Sequence, residues 1–173
     1  MTIELIVENA KKSYQKKKYQ EAGTLFAQAS AEYILIGDEL LAAEMKNNQS
    51  VALLMDGNAQ ASLNAVTGTD MIFEAYGDKR RQGMALANQA AALAALKKKT
   101  EAISLYERSA SLLGEAGEDA LRADVMRSIA AIQAVQGKLI NAVMSMQDGM
   151  IEVKEPSLKQ RIMKKLLFLR LWR

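Results

Sequence analysis

Few side chains in this sequence could do acid–base or metal chemistry, because it contains no His and no Cys. That composition excludes imidazole catalysis, thiolate nucleophiles, disulfides and His/Cys metal sites. Carboxylates, lysines and hydroxyl groups remain, but none lies in a Gly-rich phosphate loop or a nucleophile motif. The nearest loop signal is Thr67-Gly68-Thr69-Asp70, which we expect to interrupt a helix. The sequence therefore predicts a protein that is not an enzyme and that uses no cofactor or metal.

The remaining side chains could serve to bind a partner, and two amide side chains stand out because of their spacing. Asn48 and Asn88 lie 40 residues apart, and the same interval relates Gly37-Asp38, Gly77-Asp78 and Gly117-Glu118. Three further columns keep this interval, one of them small in every copy and two of them large and apolar. The small column is Ala22, Ser62, Ala102 and Ala142, and the large columns are Phe26, Val66, Tyr106 and Met146, then Tyr33, Phe73, Leu113 and Val153. Several columns in one register indicate an internal repeat.

Each copy of the repeat divides into two helices, because apolar residues recur at three- and four-residue steps in both halves. A Gly can end a helix in the left-handed conformation, and the acidic residue after it can cap the next helix. In the third copy we expect one helix from about 79 to 97 and another from about 100 to 115. The pattern predicts an all-α protein of four helix-turn-helix repeats, at about 1–36, 37–76, 77–116 and 117–156, with a C-terminal capping or interaction helix at 157–173.

The third copy resembles the tetratricopeptide repeat (TPR) family, in its long-period branch with Leu-Gly-Asn repeats and kinesin light chains. The matching residues are Gly77, Asn88, Leu93, Glu101-Ala102, Leu105-Tyr106-Glu107 and Ala110. The resemblance implies a right-handed superhelical solenoid whose first helices line a concave groove. It also implies a non-catalytic adaptor or scaffold, in which the Asn of the first helix bonds to the backbone of a bound peptide.

Helical spacing places the residues four before the Asn column, and three and seven after it, on one face. The partner-binding residues predicted on this face are Glu44, Asn48, Val51, Met55, Met84, Asn88, Asp124 and Ser128. We expect an acidic edge at Glu4, Glu8, Glu44 and Asp124, which suits a protein or peptide ligand with apolar and some basic side chains. A C-terminal carboxylate would be repelled by this edge. In the alternative interpretation, the apolar part of this face is packed core and the asparagines are merely solvated.

The net charge of +3 combines an acidic body with a basic tail, because residues 154–173 carry seven Lys or Arg and one Glu. This is not the broad basic surface of a nucleic-acid-binding domain, so we expect no nucleic-acid partner. No segment reaches the roughly 18–20 apolar residues of a membrane span, and the first residues lack the pattern of a secretory signal. We therefore expect a cytoplasmic protein without membrane contact.

The C-terminal helix is apolar on too many sides for a simple cap. Its large apolar residues are Leu166, Phe168, Leu169 and Trp172, a candidate oligomer interface. Three interpretations stay open: a cap whose excess apolar surface forms a homodimer, a contact with another partner or domain, and a basic amphipathic segment on an anionic membrane. In the homodimer case, the tail of one molecule could lie in the groove of another. Self-assembly through this helix is the alternative to the adaptor function.

Overall fold

The computed structural model describes residues 2–151, and the regular structure in that range is α-helical. Its helices are α1 (Ile3–Gln15), α2 (Tyr19–Leu35), α3 (Glu39–Met55), α4 (Ala59–Val66), α5 (Thr69–Ala75), α6 (Lys79–Ala95), α7 (Lys99–Glu115), α8 (Asp119–Val135) and α9 (Leu139–Ile151). The C-terminal helix predicted at 157–173, with Leu166, Phe168, Leu169 and Trp172, lies outside the described residues.

Consecutive helices pack together, and each hairpin also packs against the next. Helix α2 lies against both α1 and α3, the α4–α5 pair lies against α3 and α6, and α7 lies against α6 and α8. Apolar side chains fill the spaces between these layers, among them Ile6, Phe26, Phe73, Leu113 and Ile129. The core is therefore a row of clusters along the molecule, as in an all-α solenoid.

The columns of the sequence repeat correspond to buried positions. Ala22, Ser62 and Ala102 are inaccessible to solvent and Ala142 is almost so. This burial confirms that the small column allows the paired helices to approach closely. The large apolar columns are buried or partly buried at the positions described, with Phe73 and Leu113 almost fully enclosed.

The predicted helix ends are confirmed at all three Gly-acid pairs, and the predicted side-chain cap at two of them. Asp38 Oδ1 accepts a hydrogen bond from the Leu41 amide at 2.9 Å, and Asp78 Oδ1 accepts one from Arg81 at 2.8 Å. The capping prediction is wrong at Glu118, which makes no side-chain cap. Its longer side chain reaches α6 instead, where it accepts a hydrogen bond from Arg80 Nε at 2.6 Å.

The second hairpin has an interrupted second helix, as its lone internal Gly predicted. Helix α4 ends at Val66, and α5 begins at Thr69 after Gly68, whose φ is 83°. This left-handed conformation suits Gly, because it strains residues with a Cβ. The break places Thr69 in the core, where it is almost inaccessible to solvent.

Candidate functional site

The first helices of successive hairpins, α1, α3, α6 and α8, line a row of three cavities. A first cavity of about 280 Å³ lies between α1 and α3, a central one of about 230 Å³ between α3 and α6, and a third of about 260 Å³ between α6 and α8. Asn48 and Val51 line both the first and the central cavity, and Met84 and Asn88 line both the central and the third. Because neighbouring cavities share these wall residues, the three lie side by side in one row, which we call the groove.

Most of the residues predicted from the repeat line this groove. Those in its walls are Glu44, Asn48, Val51, Met84, Asn88, Asp124 and Ser128. Met55 lines none of the three cavities and is 52 % exposed. It is the last residue of α3, just as Val135 is the last residue of α8. Gln15, the last residue of α1, holds the same position in the first copy and does line the first cavity. The column seven residues after the Asn positions therefore lies at the helix ends, and Met55 and Val135 lie beyond the groove.

The first cavity has a largely apolar wall. The Phe26 ring reaches it from α2, Val51 comes from α3, and Tyr14 comes from α1. Tyr14 packs edge-on against Tyr19, with ring centroids 5.3 Å apart. An aromatic wall held by a second ring is well suited to an apolar side chain of a ligand.

A buried hydrogen-bond chain backs the central cavity. Asn88 Nδ2 donates to Asn47 Oδ1 at 3.2 Å, and Asn47 Nδ2 donates to Thr69 Oγ1 at 3.1 Å. The Thr69 hydroxyl donates in turn to the Val66 carbonyl at 2.8 Å. A second bond from Asn47 Nδ2 reaches the Ala43 carbonyl at 3.1 Å. The side chain of Asn88 is therefore oriented from behind by α3 and the break between α4 and α5.

Paired charges surround the central cavity, and this changes the predicted acidic edge. Glu44 forms an ion pair with Arg81 at 3.1 Å, and the same guanidinium contacts Asp78 at 3.3 Å. Arg80 also lines this cavity and is paired with Glu118. The central wall therefore combines amides with balanced charges and is not an open carboxylate surface.

Two of the other predicted acidic residues, Glu8 in α1 and Asp124 in α8, are also paired with a cationic side chain. Glu8 pairs with Lys12 at 2.6 Å, and this hydrogen bond together with the ammonium charge lowers the pKa of Glu8. Asp124 pairs with Arg127. Three of the four expected carboxylates are therefore paired, and a ligand with basic side chains stays a prediction.

The third cavity has the most extensive apolar lining of the three in its described walls. Leu113 and Tyr106 reach it from α7, and Leu121 and Val125 come from α8. Burial raises the pKa of Tyr106, while a hydrogen bond with the Ser128 hydroxyl opposes that shift. Tyr106 therefore stays neutral near pH 7 and presents its ring to the cavity.

The sequence reasoning missed several groove residues, among them Arg80, Arg81 and Leu121. Arg80 and Arg81 stand eight and seven residues before Asn88, one turn beyond the position four residues before it. Leu121 occupies the position of Arg81 in the next copy and also lines the groove. Extending the helical face by one turn would have found them. Asn47 carried no repeat signal, since its burial depends on the break before Thr69.

Within residues 2–151, no cluster of three or more acidic side chains is placed to hold a metal ion. Over the same range, no helix is long and apolar enough to cross a bilayer.

No protein-family model matches this sequence, and no curated protein sequence does. Solved structures do match. The crystal structure of nearly identical TPR-like repeats from a Podospora anserina protein assigned to the kinesin light chains has a TM-score of 0.76 and 17% identity, over 98% of this chain and 85% of that one. A variant of the same protein has a TM-score of 0.76 and 16% identity, over 96% and 85%. The fold is therefore that of TPR-like repeats.

Proposed function

We propose that this chain is a protein-interaction module that holds an extended segment of a partner protein in the groove along α1, α3, α6 and α8. The observation that carries this proposal is the row of three neighbouring cavities, which share Asn48, Val51, Met84 and Asn88 as wall residues. Solenoids of stacked helix pairs commonly use an extended surface of this kind for binding.

The chemistry of the groove matches a polypeptide better than a small charged ligand. Asn48 and Asn88 each carry an amide that can donate to a peptide carbonyl and accept from a peptide N–H. Apolar walls on either side of them, such as Val51 and Leu113, can bury ligand side chains. Hydrogen bonds to the peptide main chain, combined with pockets for its side chains, are one recurring mode of peptide recognition.

The wider role that we propose is a non-catalytic cytoplasmic scaffold. The absence of Cys from the sequence accords with a reducing compartment. Self-assembly through Leu166, Phe168, Leu169 and Trp172 stays a prediction, because nothing in residues 2–151 bears on it.

The proposal can be tested by photo-crosslinking in the groove. Met84 lines two cavities and is partly exposed, so it can be replaced by benzoylphenylalanine. Ser104, exposed on α7 outside the three cavities, is the matched control position. We expect crosslinks to a discrete set of partner segments from position 84, and their loss on Asn48→Ala with Asn88→Ala. The same partners crosslinked from position 104, or crosslinks that persist without the two amides, would contradict the proposal.

A further inference from the structure

We propose that one edge of the solenoid binds the surface of an anionic lipid bilayer. This edge, which we call the lysine edge, consists of the turns inside the hairpins, at 16–18, 56–58, 96–98 and 136–138. None of its residues lines the three cavities of the groove, so the proposal is independent of the proposed function. A surface contact needs no spanning helix, but it departs from the expectation that the protein has no membrane contact.

The turns at the two edges of the solenoid carry opposite charge. Short turns make consecutive helices antiparallel, so the turns between hairpins, at 36–38, 76–78 and 116–118, form the opposite edge. Each of those turns contains one acidic residue and no Lys or Arg. The lysine edge contains one acidic residue, Asp56, and six lysines, so the positive charge of the turns is collected on one side. The six are Lys16, Lys17, Lys18, Lys97, Lys98 and Lys138.

Two of these lysines occupy a backbone conformation that suits Gly. Lys17 and Lys97 have φ of 60° and 63°. The equivalent positions in the other two hairpins are Gly57 and Gly137, with φ of 85° and 75°. The left-handed conformation strains a residue that has a Cβ, so folding alone favours Gly at positions 17 and 97.

Three of the lysines stand directly before a helix, where a capping side chain is preferred. Lys18 before α2 and Lys98 before α7 make no side-chain hydrogen bond to the helix, and Lys138 directly precedes α9. In the second hairpin, Asn58 holds this position and accepts a hydrogen bond from the Ala61 amide at 3.2 Å. A positive charge here also opposes the helix dipole. Local folding rules therefore disfavour these lysines, and such departures are expected at functional sites.

The lysines of this edge keep most of their charge for a partner. Lys18 contacts Glu21 at 3.1 Å, and Lys98 contacts Glu101 at 4.0 Å. Each of these four side chains is more than half exposed, so the two pairs are weak. An anionic surface can therefore approach the edge without breaking a strong pair. Within residues 2–151, the lysines of this edge that form no ion pair include Lys17, Lys97 and Lys138.

Apolar side chains beside these lysines favour a lipid surface over a nucleic acid. Leu139 and Ile140 follow Lys138 and are 66 % and 77 % exposed. Aliphatic side chains can enter the boundary between headgroups and acyl chains while lysines contact the phosphates. A single-stranded nucleic acid would favour aromatic rings for stacking, and the four turns of the lysine edge contain none. The residues equivalent to Ile140 in the other hairpins are polar: Gln20, Gln60 and Thr100.

The cavity at the first turn argues against an acidic protein segment as the partner. It has a volume of about 310 Å³, and its wall includes Lys12, Lys16 and Lys18. Glu21 is in the same wall, so a carboxylate seated in this cavity would meet a like charge. A bilayer contacts the outer ends of the lysines and does not have to enter the cavity.

The test is sedimentation of the full chain with vesicles of phosphatidylcholine, alone or mixed in equal parts with phosphatidylserine. Lys17→Gly with Lys97→Gly removes two charges from the lysine edge. Lys46→Gln with Lys79→Gln removes the same charge from α3 and from the start of α6, and is the matched control. Ile140→Ser tests the apolar contact. Urea unfolding of each variant verifies that it folds.

We expect binding to the mixed vesicles only. The two Gly substitutions should weaken it about 10- to 30-fold, because each Lys near an anionic surface contributes roughly fivefold. Ile140→Ser should weaken it about 10-fold, and the control variant should leave it nearly unchanged. Because Gly relieves the strain at positive φ, the Gly variant should also unfold at a higher urea concentration than the parent. Weaker binding by a more stable protein cannot result from lost folding.

Three results would overturn the proposal. Equal binding by the Gly variant and the parent would assign the interaction to the basic residues 154–173. Equal losses in the Gly and control variants would show attraction to net charge alone. Tighter binding to soluble polyglutamate or to duplex DNA than to the mixed vesicles would exclude lipid as the preferred partner. Each of these results would leave the proposed function of the groove unaffected.

Discussion

Two buried glycines at equivalent helix positions should respond in opposite ways to an added methyl group. Gly23 is the fifth residue of α2 and Gly83 the fifth of α6, and both helices have 17 residues. Replacing Gly by Ala inside a helix stabilises it by about 0.5–1 kcal/mol, because Gly loses more backbone freedom on folding. This contribution should be nearly equal at the two sites, so a difference between the variants reports packing.

The nearest neighbour of an added Cβ would be more than half an ångström closer at Gly83 than at Gly23. A Cβ at position 23 would lie 3.5 Å from the Leu53 side chain, an ordinary contact. A Cβ at position 83 would lie 2.9 Å from Leu113 Cγ and 3.3 Å from the Ser109 carbonyl oxygen. Ser109 Oγ also donates to the Gly83 carbonyl at 2.7 Å, which holds α6 and α7 together at this point. Leu113 is almost fully buried, so it has little room to move.

These contacts set the sign and size of each effect. Overpacking of a filled core costs about 1–3 kcal/mol, which exceeds the helix contribution at position 83. We therefore expect Gly83→Ala to lower the free energy of unfolding by about 1 kcal/mol, and Gly23→Ala to raise it by about 0.5–1 kcal/mol. Each kcal/mol corresponds to roughly 2–4 °C in a chain of this size.

Urea unfolding followed by circular dichroism at 222 nm measures both variants against the parent chain. Because Leu113 lines the third cavity, its displacement by Gly83→Ala should also weaken ligands anchored there. Gly23→Ala should leave that binding unchanged, since it is remote from the cavity walls. Equal stabilisation by the two substitutions would refute the close contact of α6 with α7.

Three further predictions concern the described helices. Thr69→Val should lower the free energy of unfolding by about 1–3 kcal/mol, because one buried N–H of Asn47 loses its acceptor. Thr69→Ser keeps the hydroxyl and should retain most of the stability. A Val variant as stable as the parent in urea would contradict the hydrogen-bond chain. Tyr106 has a raised pKa in the folded chain, whereas unfolded tyrosines ionise near pH 10, so its contribution is complete below about pH 10 and is lost as pH rises through the folded pKa. As the pH rises from about 9 to 11, the urea midpoint should therefore fall less for Tyr106→Phe than for the parent. Parallel curves of urea midpoint against pH for the two proteins would contradict this prediction. Lys97 has a φ of 63°, so Lys97→Gly should raise the free energy of unfolding by up to about 1 kcal/mol, and the thermal midpoint with it. A lowered midpoint in calorimetry would show that the Lys97 side chain contributes more to stability than the backbone strain costs.

The repeat made much of the fold predictable from sequence, because its columns report burial directly. A position that is small in four copies, such as Ala22 and Ala102, has few explanations other than close helix packing. The Asn column likewise identified the helix face of the groove. Interactions between copies were harder to foresee: the pairing of Glu44 with Arg81 joins residues 37 positions apart, and no periodic signal links them. The long side chain of Glu118 reaches Arg80 on another helix, so the prediction that the acidic residue after Gly caps its own helix failed there.

The interrupted helix of the second hairpin connects the architecture to the groove. Because α5 restarts at Thr69, two consecutive side chains face α3 and α6: Thr69 accepts from Asn47, and Asp70 accepts from Gln89 Nε2 at 2.8 Å. Asn47 in turn accepts from Asn88, so α6 is held at Asn88 itself and at the next residue, Gln89. A side chain already held in place loses less conformational freedom when a ligand binds. In the binding that we propose, the Gly68 break would contribute through the order that it imposes on Asn88, and the central cavity should be the most preorganised part of the groove.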